Sequence, residues 1–339
     1  MKKNKKGWVI LGWIIGIILI GFGIGAFVIN HFIDSTLNQM VTTETIKKEE
    51  VSVAEEVTDK EEKTKVINIA VFGLDQNGNG SDGRSDAMKV LSLDTKNNHA
   101  KVTSFQRDTL IYIPDEIQDF DKLNHPYAYG GAKLAMQTLN YNFDLDLTRY
   151  VTFNFDAIEK IVESIGGVEI DVRSSEVSSI PGVTQSGLQH LSGSQALSYM
   201  RIRKVDSDYE RMNRQTNVMK AILSKLKTIS YPQLLELLNS TLPYIETNLT
   251  KDEIISLGMD ALKVDLGNIE QYQVPSNGYD DINHSVSYKG YGPLYVMNSY
   301  QTLVKELHQN IYGDKNYQPS STVLETEAAI YEKFGYVEK

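Results

Sequence analysis

Val66-Ile67-Asn68-Ile69-Ala70-Val71-Phe72-Gly73-Leu74, followed at once by Asp75, is the stretch on which the fold turns. It is a short, almost unbroken apolar run rich in β-branched residues, the signature of a strand buried in a sheet. Similar runs follow at Met88–Leu93 and Ala100–Phe105, the second leading to Arg107, and again at Tyr150–Phe155 and Val168–Val172. Helical patterns alternate with them. Asp156-Ala-Ile-Glu159 reads as a capping box opening a helix that stops at Gly166-Gly167, and Ala132–Leu139 and Ser194–Arg201 are shorter candidates. Glu210–Lys227 carries Met212, Met219, Ile222, Leu223 and Leu226 at helical spacing, beside Arg211, Arg214 and Gln215. Thr250-Lys-Asp-Glu253 is a second capping box, and Asn298–Tyr312 reads as a closing helix ending at Gly313. Strands interleaved with helices predict an α/β or α+β layered domain.

Before this domain, Trp8–Val28 is an uncharged, largely apolar run of 21 residues. As a helix it spans about 30 Å, one hydrocarbon core. Lys2, Lys3, Lys5 and Lys6 precede it, and no Lys or Arg follows until Lys47. That asymmetry predicts a transmembrane anchor with the N-terminus in the cytoplasm and the bulk of the chain outside. A cleaved signal peptide is the rival, with an unusually long apolar region and no convincing cleavage site. The expected organisation is a basic cytoplasmic end (1–6), a transmembrane helix (7–30), a solvated acidic stalk (31–65), one catalytic domain (66–313) and a loose polar tail (314–339).

The net charge of -10 argues against nucleic acid as partner, because duplex binding needs a basic face. The absence of cysteine removes disulfides, zinc-thiolate sites and thiol nucleophiles together. Only eight arginines occur, yet Arg201, Arg203, Arg211 and Arg214 fall within fourteen residues. Guanidinium forks grip phosphate oxygens in pairs, so this concentration in an acidic chain suggests a local phosphate site. Residues two apart in an extended segment point the same way, so Arg201 and Arg203 can share one anion once the helix before them has ended. A solvated basic patch balanced by Asp206 and Asp208 is the plainer reading.

Asp75 and Asp86 bracket a Gly- and Asn-rich loop, where two carboxylates can share a hard cation through oxygen ligands. Asp75, Asn77, Asn79, Gly80 and Asp86 also match parts of a calcium loop. Against that reading, a strand leads in, Asp replaces Glu at the last position, and Arg84 sits among the ligands. A polar hairpin without metal is the third reading. Arg107 ends a strand with Asp108 beside it as a candidate ion-pair partner. In Lys122-Leu-Asn-His-Pro-Tyr-Ala-Tyr-Gly-Gly131, the lysine is a candidate phosphate contact, and Tyr127 and Tyr129 either line a sugar or lipid cleft or pack a loop. The six histidines are dispersed, with no ligand spacing. No Walker loop, serine elbow, zinc-protease motif or dinucleotide fingerprint is present.

Phe-Gly-Leu-Asp75, Gly83-Arg84-Ser85-Asp86, Ser104-Phe-Gln-Arg107-Asp108, Lys122–Gly131 and Arg201-Ile-Arg203 continuing to Arg211 and Gln215 together resemble the LytR-CpsA-Psr family of cell-wall glycopolymer transferases. The resemblance runs from about Asn68 to about Thr228. It implies an α/β/α-layered domain with a central mixed sheet, an apolar pocket for a polyprenyl chain and a charged mouth for its pyrophosphate. By position, Asp75 and Asp86 correspond to magnesium (or manganese) carboxylates. Arg84, Arg107, Arg201 and Arg203 correspond to phosphate-binding arginines, supported by Lys122 and Gln215. Asp208 with Arg211 matches an acid-and-arginine pair at the mouth, with Asp208 as proton acceptor. The implied reaction moves a teichoic acid, capsule or related glycopolymer from a polyprenyl-pyrophosphate carrier in the membrane lipid to peptidoglycan. A polyprenyl-pyrophosphate phosphatase and a non-catalytic binding or regulatory protein are the alternatives.

Overall fold

The computed structural model describes residues 41–42, 45–74, 83–202, 245–250 and 270–338, with single positions and pairs between 214 and 225 and short pieces between 252 and 260. In chain order the elements are β1 (Val41–Thr42), α1 (Lys60–Thr64), β2 (Val66–Leu74), β3 (Ser85–Asp94), β4 (His99–Phe105), β5 (Leu110–Ile113), β6 (Asp119–Lys122), α2 (Pro126–Phe143) and β7 (Tyr150–Asn154). Then come α3 (Phe155–Ser164), β8 (Val168–Val172), β9 (Gly187–Leu191), α4 (Gly193–Met200), β10 (Ile245–Thr247) and β11 (Glu270–Val274). The hairpin of β12 (Ile282–Tyr288) and β13 (Tyr291–Met297) and the helices α5 (Tyr300–Tyr312) and α6 (Ser321–Phe334) close the chain. Two compact units result, one of residues 43–152 with 267–339, the other of 153–266 with 1–42.

In the first unit a mixed sheet runs in the order β7-β2-β3-β4-β11. β2, β3 and β4 are antiparallel neighbours and β11 joins β4 in parallel. Val66, Ala70 and Phe72 of β2, Met88 and Val90 of β3 and Phe105 of β4 pack on one core with α2, α5 and α6. Ile69, Val71, Leu91 and Val102, of opposite parity, are buried as well. Burial on both faces is why the opening run lacks a polar alternation. On that second face Lys89 is buried and donates to Ser104 Oγ at 2.8 Å. Burial holds its pKa well below the ordinary lysine value.

Two expected appendages belong to this unit's core. The stretch read as a stalk forms short 3₁₀ turns at Lys48–Val51 and Glu55–Val57, and Val51 and Val57 are fully buried. Arg149 ties α1 down through both guanidinium nitrogens to Glu61, at 2.7 and 3.3 Å. The stretch read as a loose tail carries α6, with Val323 and Ile330 buried. Its anchors are polar. Tyr317 and Ser320 donate to the buried Asp144 carboxylate, and Glu327 accepts from the Gln301 N–H and side-chain amide at the start of α5. Hydrophobicity alone therefore understates how firmly these segments attach. The apolar run Trp8–Val28 lies outside the described residues; among those described, no helix is long and apolar enough to cross a membrane.

In the second unit β1 and β10 pair in parallel, and β8 and β9 form an antiparallel hairpin. The cap of α3 is Asn154, whose side chain accepts from the Ala157 N–H, so the expected Asp156 cap sits inside the first turn instead. Asn154 is the last extended residue before the helix, the position from which a cap side chain reaches the open N–H groups. α4 opens on a reciprocal Ser192–Gln195 capping box. At Thr250 the Thr and Glu253 side chains make both bonds of the predicted box, at 3.2 and 2.9 Å.

Candidate active site

β2 and β3 form a hairpin, and two of the expected groups, Asp75 and Asp86, flank its connecting loop in the sequence. Gly73 pairs with Ala87 and Leu74 with Ser85, which leaves Asp86 as the extra residue of a β-bulge. Asp75 itself lies outside the described residues, but Leu74 before it is paired with Ser85 before Asp86. The loop they bracket offers only oxygen donors of the hard kind, the chemistry that magnesium requires. Among the described residues no cluster of three or more acidic or histidine side chains could hold a metal.

β4 delivers Arg107 at the point where the chain leaves the sheet. The Arg107 carbonyl accepts from the Asn124 N–H at 3.2 Å and the Thr109 carbonyl from the Leu123 N–H at 3.0 Å, which draws the Lys122–Gly131 segment alongside. Lys122 Nζ then reaches Asp108 Oδ1 at 2.7 Å, and Arg107 Nε lies 3.6 Å from Asp108 Oδ2. Asp108 is thus shared by two cations, and the predicted Arg107–Asp108 pair is a three-member group that includes Lys122. Both cations are partly exposed at this corner, a position from which guanidinium and ammonium groups can contact an anion. From the other side, the Tyr295 N–H donates to the Asp108 carbonyl at 2.8 Å, fixing β13 against this corner.

Arg84, immediately before β3, places its guanidinium 5.6 Å from the centre of the Tyr291 ring. Tyr291 in turn meets His125 edge-to-face at 4.9 Å. His125 Nδ1 is 2.8 Å from Asp121 Oδ1, and Tyr129 donates to Asp121 Oδ2 at 2.7 Å. Burial works against the Asp121 carboxylate, yet the bonds from His125, Tyr129 and the Lys122 N–H outweigh it and hold its pKa below the usual value. Tyr127 faces away from this group: it packs on Phe72 and donates to Thr152. Asp121 and Tyr291 carried no sequence signal of their own. Only the spacing of Asp121 four residues before His125 hinted at the pair.

In the second unit, Arg201 is exposed and sits just past α4. Its backbone is αR (φ -89, ψ -2), not extended, so the alternation argument that paired it with Arg203 does not apply at that residue. Arg214, counted among the clustered arginines, is buried. Its Nη1 lies 3.1 Å from Glu176 Oε1, and its Nη2 donates to the Ile202 carbonyl at 2.8 Å. Arg214 therefore braces the backbone between Arg201 and Arg203 instead of binding phosphate itself. Arg203, Asp206, Asp208, Arg211 and Gln215 lie outside the described residues.

The model of the LytR_cpsA_psr family matches residues 28–304. The chain belongs to that family. The polyisoprenyl-teichoic acid--peptidoglycan teichoic acid transferase TagU of Bacillus mycoides is 33% identical over 282 residues, covering 82% of this chain and 90% of that protein. The Enterococcus faecalis protein of the same name is 31% identical, over 85% and 93%. B. subtilis TagT superposes with a TM-score of 0.53 at 28% identity, over 74% of this chain and 91% of its own, and a structure of TagT bound to LI-WTA matches equally. The mixed α/β fold with its central mixed sheet is that of these family structures.

Proposed function

We propose that this chain is a membrane-anchored phosphotransferase that attaches a glycopolymer, carried on polyprenyl pyrophosphate, to peptidoglycan. The names of its curated relatives support the reaction. The observation that carries it onto this chain is the Arg107–Asp108–Lys122 corner, where two cations are gathered at one partly exposed place on the motifs the family shares. The anchor is the apolar run 8–28, the catalytic part lies outside the membrane, and the layering is α/β/α.

Displacing polyprenyl phosphate with a sugar hydroxyl leaves charge on the diphosphate, so catalysis is mainly neutralisation and positioning. Arg84 and Arg107 grip its oxygens and Lys122 adds a point charge; by correspondence with the family's motifs, Arg201, Arg203 and Gln215 are assigned further phosphate contacts, and Asp208 with Arg211 the acid-and-arginine pair. Asp75 and Asp86 are suited to hold a magnesium ion, which would supply charge neutralisation at the diphosphate.

Arg107→Ala should abolish polymer attachment while leaving folded protein in the membrane; normal attachment by that variant refutes the assignment. Release of polymer without attachment by the unaltered protein would instead favour a phosphatase.

A further inference from the structure

Asp121, His125, Tyr129 and Tyr291 form a connected group, with Arg84 at its edge, and the phosphate-binding scheme leaves all of it but Arg84 without a task. The side chains of Asp121 and His125 are 2% and 3% exposed. A carboxylate bonded to Nδ1 fixes the imidazole in one orientation, with the Nδ1 proton directed at Asp121 and the Nε2 lone pair facing away. Asp121 has no spare role in this arrangement. Its Oδ1 also accepts from the Lys122 N–H at 2.8 Å and its Oδ2 from Tyr129. Burial, and then the bond to Asp121, push the Tyr129 phenol above its ordinary pKa, so it remains a donor. Among the described residues, Nε2 has no hydrogen-bond partner.

The position of this imidazole is specific. The His125 backbone N–H donates to the Lys122 carbonyl at 3.0 Å, and the backbone N–H of its neighbour Asn124 donates to the Arg107 carbonyl. Arg84 lies across one ring, that of Tyr291. Backbone bonds thus tie His125 and its neighbour to the residues that bear the Lys122 and Arg107 cations, and the Tyr291 ring lies between His125 and Arg84. The two rings against it, Tyr129 and Tyr291, are 47% and 39% exposed, so the imidazole lies under a rim of half-exposed phenols. Exposed phenol faces beside a buried polar pair are what a sugar ring stacks on. The titratable and charged groups facing His125 are Asp121 from β6, Tyr129 from its own helix and Tyr291 from β13, with Arg84 over the last. Lys289 acts on Asp121 at longer range.

We infer that His125, oriented by Asp121, is the proton acceptor for the acceptor-sugar hydroxyl, which the Tyr129 and Tyr291 rings hold above it. The inference rests on the transferase reading and replaces Asp208 in this one role. The hydroxyl oxygen forms the new bond to phosphorus as its proton passes to Nε2. The bond from phosphorus to the polyprenyl phosphate oxygen breaks, and the leaving polyprenyl phosphate takes the electron pair. The proton then returns to solvent. Asp121 is a positioning residue and His125 the catalytic one.

The test uses the full chain in detergent with a polyprenyl-diphosphate-linked oligosaccharide as donor and soluble uncrosslinked glycan strands as acceptor, with attachment followed against pH. His125→Gln should lower kcat by about 100- to 10,000-fold, leave donor binding unchanged and remove the acidic limb of the rate profile. Asp121→Asn, which keeps the imidazole but removes the carboxylate that orients it, should lower kcat while leaving the acceptor KM unchanged. An unchanged kcat in His125→Gln overturns the inference, and so does a slower variant with the wild-type pH profile. If His125→Gln does not fold, an unchanged kcat in Asp121→Asn overturns it by itself. Donor hydrolysis without attachment by the wild type overturns the transferase reading beneath it, an outcome distinct from wild-type attachment that ignores His125.

Discussion

Replacing Arg214 by methionine keeps the length of the side chain and removes its charge from a site where both partners are 1% exposed. Glu176 would then hold a buried carboxylate whose other oxygen, Oε2, accepts the Arg173 N–H at 2.9 Å, a neutral donor. The Ile202 carbonyl would lose the Nη2 bond. Breaking a buried ion pair from one side costs about 3–5 kcal/mol, most of it the uncompensated charge. With a urea slope of about 2 kcal/mol per molar, the midpoint should fall by about 2 M. The assay is urea unfolding of the detergent-solubilised full chain, followed by the tyrosine near-ultraviolet signal. Adding Glu176→Gln, which keeps an acceptor for Arg173 but removes the charge, should recover about half of the loss. Because Ile202 lies between Arg201 and Arg203, donor affinity should fall as well. A midpoint within about 0.25 M of wild type, equivalent to about 0.5 kcal/mol and the range of ordinary surface changes, would show that Arg214 is not the brace described here.

Two further outcomes are expected. His308 is fully buried and stacked on Tyr317 at 3.6 Å, and burial lowers its pKa to about 3. The unfolded chain binds that proton more readily, so the contribution is complete above about pH 6.5 and is lost as pH falls towards the folded value; near pH 5 the loss is about 2 kcal/mol. Stability-versus-pH curves of wild type and His308→Gln should therefore diverge in slope below pH 6.5, and parallel curves would contradict the burial argument. Truncation after Gly313 should strip Val323 and Ile330 from the core, at about 1.5–3 kcal/mol each, and leave the Asp144 carboxylate without its Tyr317 and Ser320 donors. A truncated chain as resistant to proteolysis as the whole would restore the loose tail.

What the sequence determined by itself was local or patterned. Val66–Leu74, Met88–Leu93 and Ala100–Phe105 read as buried strands and are strands, because burial writes itself into consecutive residues. The Thr250 capping box and the Gly313 stop were legible for the same reason: both ends of each bond lie within a few residues. The family, too, was readable from ordered motifs. Tertiary structure alone decided which polar groups meet. Arg214 looked like one more phosphate-binding arginine until Glu176, 38 residues away, claimed it. Asp108 took Lys122 as well as Arg107, and the polar segments 48–64 and 321–334 proved to be core. A guanidinium or carboxylate carries the same letter whether it binds substrate or braces a loop. Its role depends on the dielectric and the partners that distant parts of the chain bring to it.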